Sequence, residues 1–206
     1  NEPGWRVRVV PNKFPALMIE GDLDRRGDGM YDIMNGVGAH EVIIEHPKHI
    51  ISLTELTDQH ASEVFWVYKE RLNDLKKDRR FAYGLVFKNV GDVAGASQEH
   101  SPSQIIVTPI VPLRVQTGMD QCKHYYDFRG RCLLCDMIKH ELQTGSRIVA
   151  ESRHFVSFEP FAPRFPFETW VLQKEHHSHF SATEDRLLGE LASLVKNTLS
   201  RIEKAI

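Results

Sequence analysis

Hydrophobic and polar positions along the chain follow two periodicities, which predict both strands and helices. Short apolar or alternating runs with polar ends predict strands over residues 5–10, 41–45, 82–89, 104–108, 147–151, 154–158 and 168–172. Apolar residues at three- and four-residue spacing form one stripe from Ala61 to Leu75 and another from Leu187 to Ile202. Such stripes predict amphipathic helices, and a shorter helix is predicted over residues 136–143.

Polar residues and glycines mark several of the predicted boundaries. Thr57 precedes the first stripe and is the predicted N-cap of that helix. Ser181 and Glu184 have the spacing of a capping box before the last helix. The glycine-rich stretch from residue 21 to 38 shows little periodicity, so we expect an exposed loop there.

Composition excludes several classes of protein. The 206 residues are 41% hydrophobic and 26% charged, as is usual for a globular chain. The formal net charge of −2 argues against a nucleic-acid partner bound through bulk charge. No apolar run approaches the about 20 residues that a membrane helix needs, so we expect no membrane association. The three cysteines are too few, and odd in number, for a disulfide framework, which predicts a reducing, cytoplasmic setting.

Two segments of the chain resemble each other. Residues 41–49 and 168–176 each begin with an acidic residue, continue as an apolar strand and end in a histidine, His49 or His176. A Ser/Thr-rich turn and an amphipathic helix follow each segment, which indicates a duplicated unit. We expect a first unit over residues 1–120 and a second over 121–206. The repeat also predicts that the first unit lacks its start and that the second is incomplete at its C-terminal end.

Cysteine and histidine spacing points to a metal site. Cys132 and Cys135 have the spacing at which two thiolates on a tight turn take two corners of a tetrahedron, and His176 is the best candidate for a further ligand. The alternative is a pair of buried free cysteines. His49 and His100 form a second candidate cluster, although either alone is more often an ordinary polar histidine.

The stretch from residue 89 to 104 has the composition of a ligand-binding loop. Its glycines allow backbone N–H groups to approach a ligand closely. Asn89, Ser97 and Gln104 supply neutral hydrogen-bonding groups that suit phosphate oxygens or sugar hydroxyls. The alternative is a polar loop between two strands with no ligand.

Five segments together resemble the galactose-1-phosphate uridylyltransferase family, a branch of the histidine-triad superfamily that includes ADP-glucose phosphorylases. They are residues 5–17, 41–49, 95–104, 132–135 and 159–176. The resemblance implies an α+β fold of two histidine-triad-like units, each an antiparallel sheet with flanking helices, joined in one sheet. It implies transfer of a nucleoside monophosphate from a nucleotide sugar to a sugar phosphate or phosphate, through a covalent nucleotidyl-histidine. Members of the family are often homodimers.

The resemblance also assigns roles to individual residues. It places Asn12 and Lys13 at the nucleoside, Asn89 and Ser97 in the substrate loop, and Gln104 at the phosphoryl group. It implies zinc as the cofactor, held in one site by Cys132, Cys135 and His176, and in another by His49, His100 and a CxxC pair that would precede Asn1.

One departure from the family pattern concerns the nucleophile. The family motif His-x-His-x-Gln appears here as His100-Ser-Pro102-Ser-Gln104, so proline occupies the nucleophile position. Proline has no nucleophilic side-chain atom and no N–H group. Two interpretations follow: a nucleotidyltransferase that acts through another histidine, or a catalytically inactive protein that binds nucleotides or nucleotide sugars. A zinc-ribbon-like interaction module is a third, weaker one, because the chain lacks basic clusters.

Overall fold

The computed structural model describes residues 4–50, 52–91 and 102–206. Its strands are β1 (Arg8–Pro11), β2 (Arg26–Asp28), β3 (Tyr31–Ile33), β4 (Ala39–Ile44), β5 (Tyr83–Phe87), β6 (Ser103–Thr108), β7 (Ile148–Glu151), β8 (Phe155–Phe158) and β9 (Trp170–Gln173). Its α-helices are α1 (Asp58–Leu75), α2 (Leu113–Arg129), α3 (Leu133–Thr144) and α4 (Asp185–Ala205). All the strand pairs within the sheets are antiparallel, which confirms the expected α+β class. No helix in these described ranges is both long and apolar enough to span a membrane.

The chain divides into two compact units. Unit 1 comprises the residues up to Ser52 together with Val67–Pro112, and unit 2 comprises Leu53–Trp66 together with Leu113–Ile206. The sheet of unit 1 has the strand order β1-β4-β6-β5. Alternate residues of β6 are buried, so that Ser103, Ile105 and Val107 face the core. The period of two places Gln104 on the opposite face of the sheet.

Helix α1 begins as the sequence predicts. The backbone N–H of His60 donates to the Thr57 hydroxyl at 3.2 Å, which confirms Thr57 as the N-cap. Farther along the helix, within unit 1, the Arg71 guanidinium donates to both carboxylate oxygens of Glu41, at 2.7 and 2.9 Å. This two-point ion pair fixes the second half of α1 to strand β4.

Unit 2 packs helices on both faces of its three-stranded sheet β7-β8-β9. Every residue of β8 is buried. Phe155 packs with the leucine stripe of α4, and Val156 and Phe158 pack with Ile138 of α3. The apolar stripe of α4 therefore covers one face of the sheet, as its periodicity predicts.

A carboxylate of α4 holds the turn between β7 and β8. Glu190 accepts hydrogen bonds from the Ser152 hydroxyl at 2.5 Å and from the backbone N–H of His154 at 2.6 Å. The second carboxylate oxygen of Glu190 lies 2.6 Å from Nδ1 of the His154 imidazole. Burial raises the pKa of Glu190, but the hydrogen bonds from His154 and Ser152 lower it to about 2.

Three sequence-based expectations about local structure need correction. The stretch from residue 21 to 38 is not simply a loop, because it contains the exposed hairpin of β2 and β3. Helix α2 was not expected; none of its residues is buried, so it has no apolar stripe to reveal it. The capping box is also wrong, because Ser181 lies in a 3-10 turn and the N-cap of α4 is Glu184, which makes no side-chain cap.

The two units do not share a sheet in the described part of the chain. The strands form separate four-stranded and three-stranded sheets, together with the β2–β3 hairpin. The expectation of one joined sheet is therefore wrong. Two helices, α2 and α3, separate β6 from β7 along the chain, and in the described residues no strand of one sheet pairs with a strand of the other.

Candidate functional site

Three polar side chains meet on one face of the unit 1 sheet. Asn12 follows β1, His40 lies in β4 and Gln104 lies in β6. Gln104 pairs with Val42, two residues from His40 on the same face, so the imidazole reaches the amide diagonally. His40 Nε2 lies 2.8 Å from Gln104 Oε1, and Asn12 Nδ2 lies 3.3 Å from the same oxygen.

The neighbouring backbone fixes the orientation of two of these side chains. The Phe14 N–H donates to Asn12 Oδ1 at 2.9 Å, so the Asn12 amide nitrogen faces His40 and Gln104. The Ala16 N–H donates to His40 Nδ1 at 3.1 Å. In the neutral ring the proton then lies on Nε2, which donates to Gln104 Oε1. Asn12 Nδ2 also lies 3.1 Å from His40 Nε2, and in this tautomer that contact joins two donors and is not a hydrogen bond, so the Asn12 NH2 group donates to Gln104 Oε1 instead.

Pro102 immediately precedes β6 and is half-buried. It lies two residues before Gln104 in the chain and one residue before the first residue of the strand. Its ring offers no lone pair that could attack phosphorus, and it removes a backbone donor at the start of the strand. Position 102 is therefore separated from Gln104 by one residue, and its proline side chain cannot act as a nucleophile.

A buried ionic network lies behind the same strand. Glu45 is 5% exposed, and one of its carboxylate oxygens accepts hydrogen bonds from the Tyr68 hydroxyl at 2.9 Å and from the Ser103 hydroxyl. Lys88 Nζ contacts the other oxygen at 2.6 Å. Burial, followed by the charge of Glu45, holds the pKa of Tyr68 well above its usual range. Ser103 separates Pro102 from Gln104, so this network fixes the backbone that carries both.

The other residues assigned to the substrate have varied positions. Lys13 is exposed, and its Nζ lies 5.4 Å from the centroid of the Phe14 ring. Asn89 is exposed just after β5. Ser97 lies outside the described residues, so its placement stays a prediction.

A separate candidate metal centre lies in unit 2. Cys132 is the N-cap residue of α3, Cys135 lies in the first turn of that helix, and His176 follows β9. One ligand atom from each of the three lies within 4.8 Å of the others, and Cys135 Sγ is 3.2 Å from His176 Nδ1. Burial, followed by the neighbouring Cys132, raises the pKa of the Cys135 thiol.

This donor set fits a transition-metal ion. Tetrahedral zinc with thiolate and imidazole ligands would hold sulfur and nitrogen about 3.5 Å apart, close to the 3.2 Å seen between Cys135 and His176. Two thiolates and an imidazole are ligands that zinc favours.

The second predicted metal cluster consists of His49 and His100. His49 is exposed beyond the end of β4, and His100 lies outside the described residues. That pairing stays a prediction.

Sequence reasoning missed His40. The signal was partial, because His40 directly precedes the predicted strand over residues 41–45 and Gly38 lies two residues before it. A Cβ atom at Gly38 would lie 2.3 Å from the carbonyl oxygen of Val107, so only glycine allows this approach of β4 to β6. The strand register that brings His40 to Gln104 could not be predicted from the sequence.

Two family models match the chain. The model of the N-terminal domain of galactose-1-phosphate uridyl transferase matches residues 5–112. The model of the C-terminal domain of the same enzyme matches residues 118–205. The first match ends at residue 112, directly before α2, and the second begins at residue 118, within that helix.

Individual proteins are similar over nearly all of the chain. An ADP-glucose phosphorylase of Arabidopsis thaliana is 36% identical over 100% of this chain and 58% of its own length. A galactose-1-phosphate uridylyltransferase of Haemophilus influenzae is 28% identical over 95% of this chain and 56% of its own. The crystal structure of an Arabidopsis thaliana ADP-glucose phosphorylase with bound ADP-glucose superposes with a TM-score of 0.87 at 36% identity, covering 98% of this chain and 62% of that one. The chain thus spans little more than half the length of these curated relatives.

Proposed function

The chain belongs to the galactose-1-phosphate uridyl transferase family, and we propose that it binds nucleotide sugars as substrates for nucleotidyl transfer to a sugar phosphate or phosphate. The observation that carries the proposal is the contact of Asn12, His40 and Gln104 on one face of the unit 1 sheet. Two of these three residues are those to which the family resemblance assigns the nucleoside and the phosphoryl group.

The chemistry of this group suits a nucleotide. Amide N–H groups donate to phosphate oxygens without adding charge, and they stabilise negative charge that develops there. Gln104 supplies such an amide from a strand whose start is fixed by the buried Glu45–Ser103 contact. Lys13, exposed one residue after Asn12, adds a positive charge near the same edge of the sheet.

ADP-glucose is the first ligand to test. One relative at 36% identity is named an ADP-glucose phosphorylase, and the similar crystal structure holds ADP-glucose. UDP-glucose is the second, because other relatives are named galactose-1-phosphate uridylyltransferases. The same family membership supports a role in carbohydrate metabolism that includes galactose.

We further propose that Cys132, Cys135 and His176 hold zinc. These three ligands would fill three corners of a tetrahedron, and zinc bound there would supply a cross-link between the segments that carry them. The cross-link would tie the start of α3 to the end of β9, within unit 2. The mutual proximity of the three ligand atoms supports this assignment.

Equilibrium binding tests the proposed site. Titration calorimetry with ADP-glucose and UDP-glucose should show saturable binding of at least one of them by the unaltered chain. Gln104→Leu should weaken that binding by about tenfold or more, because a hydrogen bond to a charged group is lost. Gln116→Leu, an exposed amide on α2, is the matched control and should not change the affinity. The absence of binding to both ligands would contradict the proposal.

Pro102 favours a second candidate function, which is nucleotide-sugar binding without transfer. The family intermediate requires an imidazole at this position, and proline cannot provide one. Isotope exchange between labelled glucose 1-phosphate and ADP-glucose separates the two candidates. Exchange by the unaltered chain supports transfer through another histidine. Exchange gained only on Pro102→His, and not on the control Pro102→Asn, supports binding without transfer.

A further inference from the structure

His40 is the member of the site group to which the family resemblance gives no role. Both of its ring nitrogens have partners: the Ala16 N–H at Nδ1, at 3.1 Å, and Gln104 Oε1 at Nε2, at 2.8 Å. We propose that His40 is a positioning residue, which turns the Gln104 amide so that its NH2 group faces the phosphoryl group of the bound nucleotide sugar. The inference rests on the proposed function, since it names what orients the phosphoryl-binding residue.

The argument depends on the two ends of the Gln104 amide. Its oxygen accepts from His40 Nε2–H and from Asn12 Nδ2, 3.3 Å away, so both donors hold the oxygen on their side. The NH2 group then lies on the other side with two donors to offer. Phosphate oxygens only accept hydrogen bonds. A reversed amide would present its oxygen to them and its N–H to the His40 N–H, which is unfavourable at both ends.

The same contacts argue against His40 as the catalytic nucleophile. Attack on phosphorus requires a ring nitrogen with a free lone pair. The Nε2 atom carries the proton that it donates to Gln104, and the lone pair of Nδ1 accepts the Ala16 N–H. Both nitrogens are engaged in the arrangement that orients the amide. His40 therefore acts through Gln104 and not as a replacement for the residue lost at position 102.

Three substitutions of His40 isolate the Nε2–H donor. His40→Phe keeps an aromatic ring and removes both nitrogens. His40→Asn places an amide near the former Nδ1 and cannot reach Gln104. His40→Gln can place an N–H near the former Nε2 and so restore the donor. Each is made in the 206-residue chain, and circular dichroism and thermal unfolding test whether each variant folds.

The first measurement uses the free protein and needs no nucleotide. Long-range 1H–15N correlation spectra should show His40 with a protonated Nε2 and an unprotonated Nδ1 that accepts a hydrogen bond. The side-chain NH2 signals of Gln104 should shift in His40→Asn and return toward their original positions in His40→Gln. A His40 ring protonated at Nδ1, or Gln104 signals that are the same in all variants, would overturn the proposal.

The second measurement is the affinity for ADP-glucose and UDP-glucose. We expect His40→Phe and His40→Asn to weaken binding by about five- to tenfold, as for one lost hydrogen bond, and His40→Gln to recover most of it. Unchanged affinity in His40→Asn would overturn the positioning role while the proposed function stands. Absence of binding by the unaltered chain would overturn the proposed function and the phosphoryl-facing role of Gln104, whereas the spectra of the free protein test separately whether His40 orients the Gln104 amide.

Discussion

The carboxylate of Glu190 and the imidazole of His154 are joined at 2.6 Å, from Oε2 to Nδ1, between helix α4 and the turn that connects β7 to β8. The other carboxylate oxygen accepts the His154 backbone N–H and the Ser152 hydroxyl. A single acidic residue therefore fixes the turn to the helix that covers the sheet of unit 2. This contact makes the stability of unit 2 depend on pH.

Glu190→Gln should reduce the free energy of unfolding by about 1–3 kcal/mol at neutral pH, because hydrogen bonds to a charged acceptor are weakened. The pKa of Glu190 is about 2 in the folded chain and about 4.3 when unfolded. The folded state therefore favours the ionised form, and this contribution is present above the unfolded value and is lost as the pH falls through about 2.

Urea unfolding from neutral pH down to the acid limit of the folded state measures this contribution. The difference between the unaltered chain and Glu190→Gln should shrink as the pH falls below about 5. The exposed Glu20→Gln serves as the control and should give curves like those of the unaltered chain. A difference that stays constant over the whole range would show that the Glu190 charge does not stabilise unit 2.

Cys135→Ser should remove bound metal. Cys135 Sγ and His176 Nδ1 are 3.2 Å apart, and the loss of one thiolate leaves the proposed zinc with a weaker donor. We expect the zinc content to fall by about one per chain and thermal stability to fall with it, because metal binding contributes to folding. Inductively coupled plasma mass spectrometry measures the metal.

Cys122→Ser is the matched control for the metal site. Cys122 lies on α2, and its thiol is not part of the three-atom group of Cys132, Cys135 and His176. The variant should keep its metal content. Zinc retained by Cys135→Ser, or lost equally from both variants, would contradict the assignment of these three ligands.

Glu45→Gln should destabilise unit 1 more than Tyr68→Phe does. Glu45→Gln removes the charge that Lys88 contacts at 2.6 Å in a buried setting, and breaking such a pair costs about 3 kcal/mol. Tyr68→Phe removes a hydroxyl and leaves that ion pair intact, at a cost of about 1 kcal/mol. Chemical unfolding of both variants gives the comparison, and the reverse order would show that the ion pair contributes little.

Much of the fold could be predicted from periodicity. The stripes of α1 and α4 and the buried alternation of β6 come from burial on one face, which the sequence records directly. Helix α2 was missed because none of its residues is buried. The β2–β3 hairpin was missed because it is exposed and glycine-rich, so no core contact imposes a pattern on it.

The candidate sites were predictable only in part. The spacing of Cys132 and Cys135 and the repeat that includes His176 predicted a cluster, and the structure brings these residues together. Asn12 and Gln104 came from the family resemblance. Their contact through His40 could not be read from the sequence, because 64 residues separate His40 from Gln104 and only the register of β4 with β6 brings them together.

The most direct test of the proposed site determines whether the reacting phosphorus of bound ADP-glucose lies at position 102. Intact-protein mass spectrometry after incubation with ADP-glucose detects a covalently attached nucleoside monophosphate. Asn12 and Gln104 should hold the nucleotide sugar against position 102, so Pro102→His should gain one such group at that position. The unaltered chain should gain none there. A Pro102→His chain that binds ADP-glucose but never becomes modified at position 102 would contradict the proposed placement.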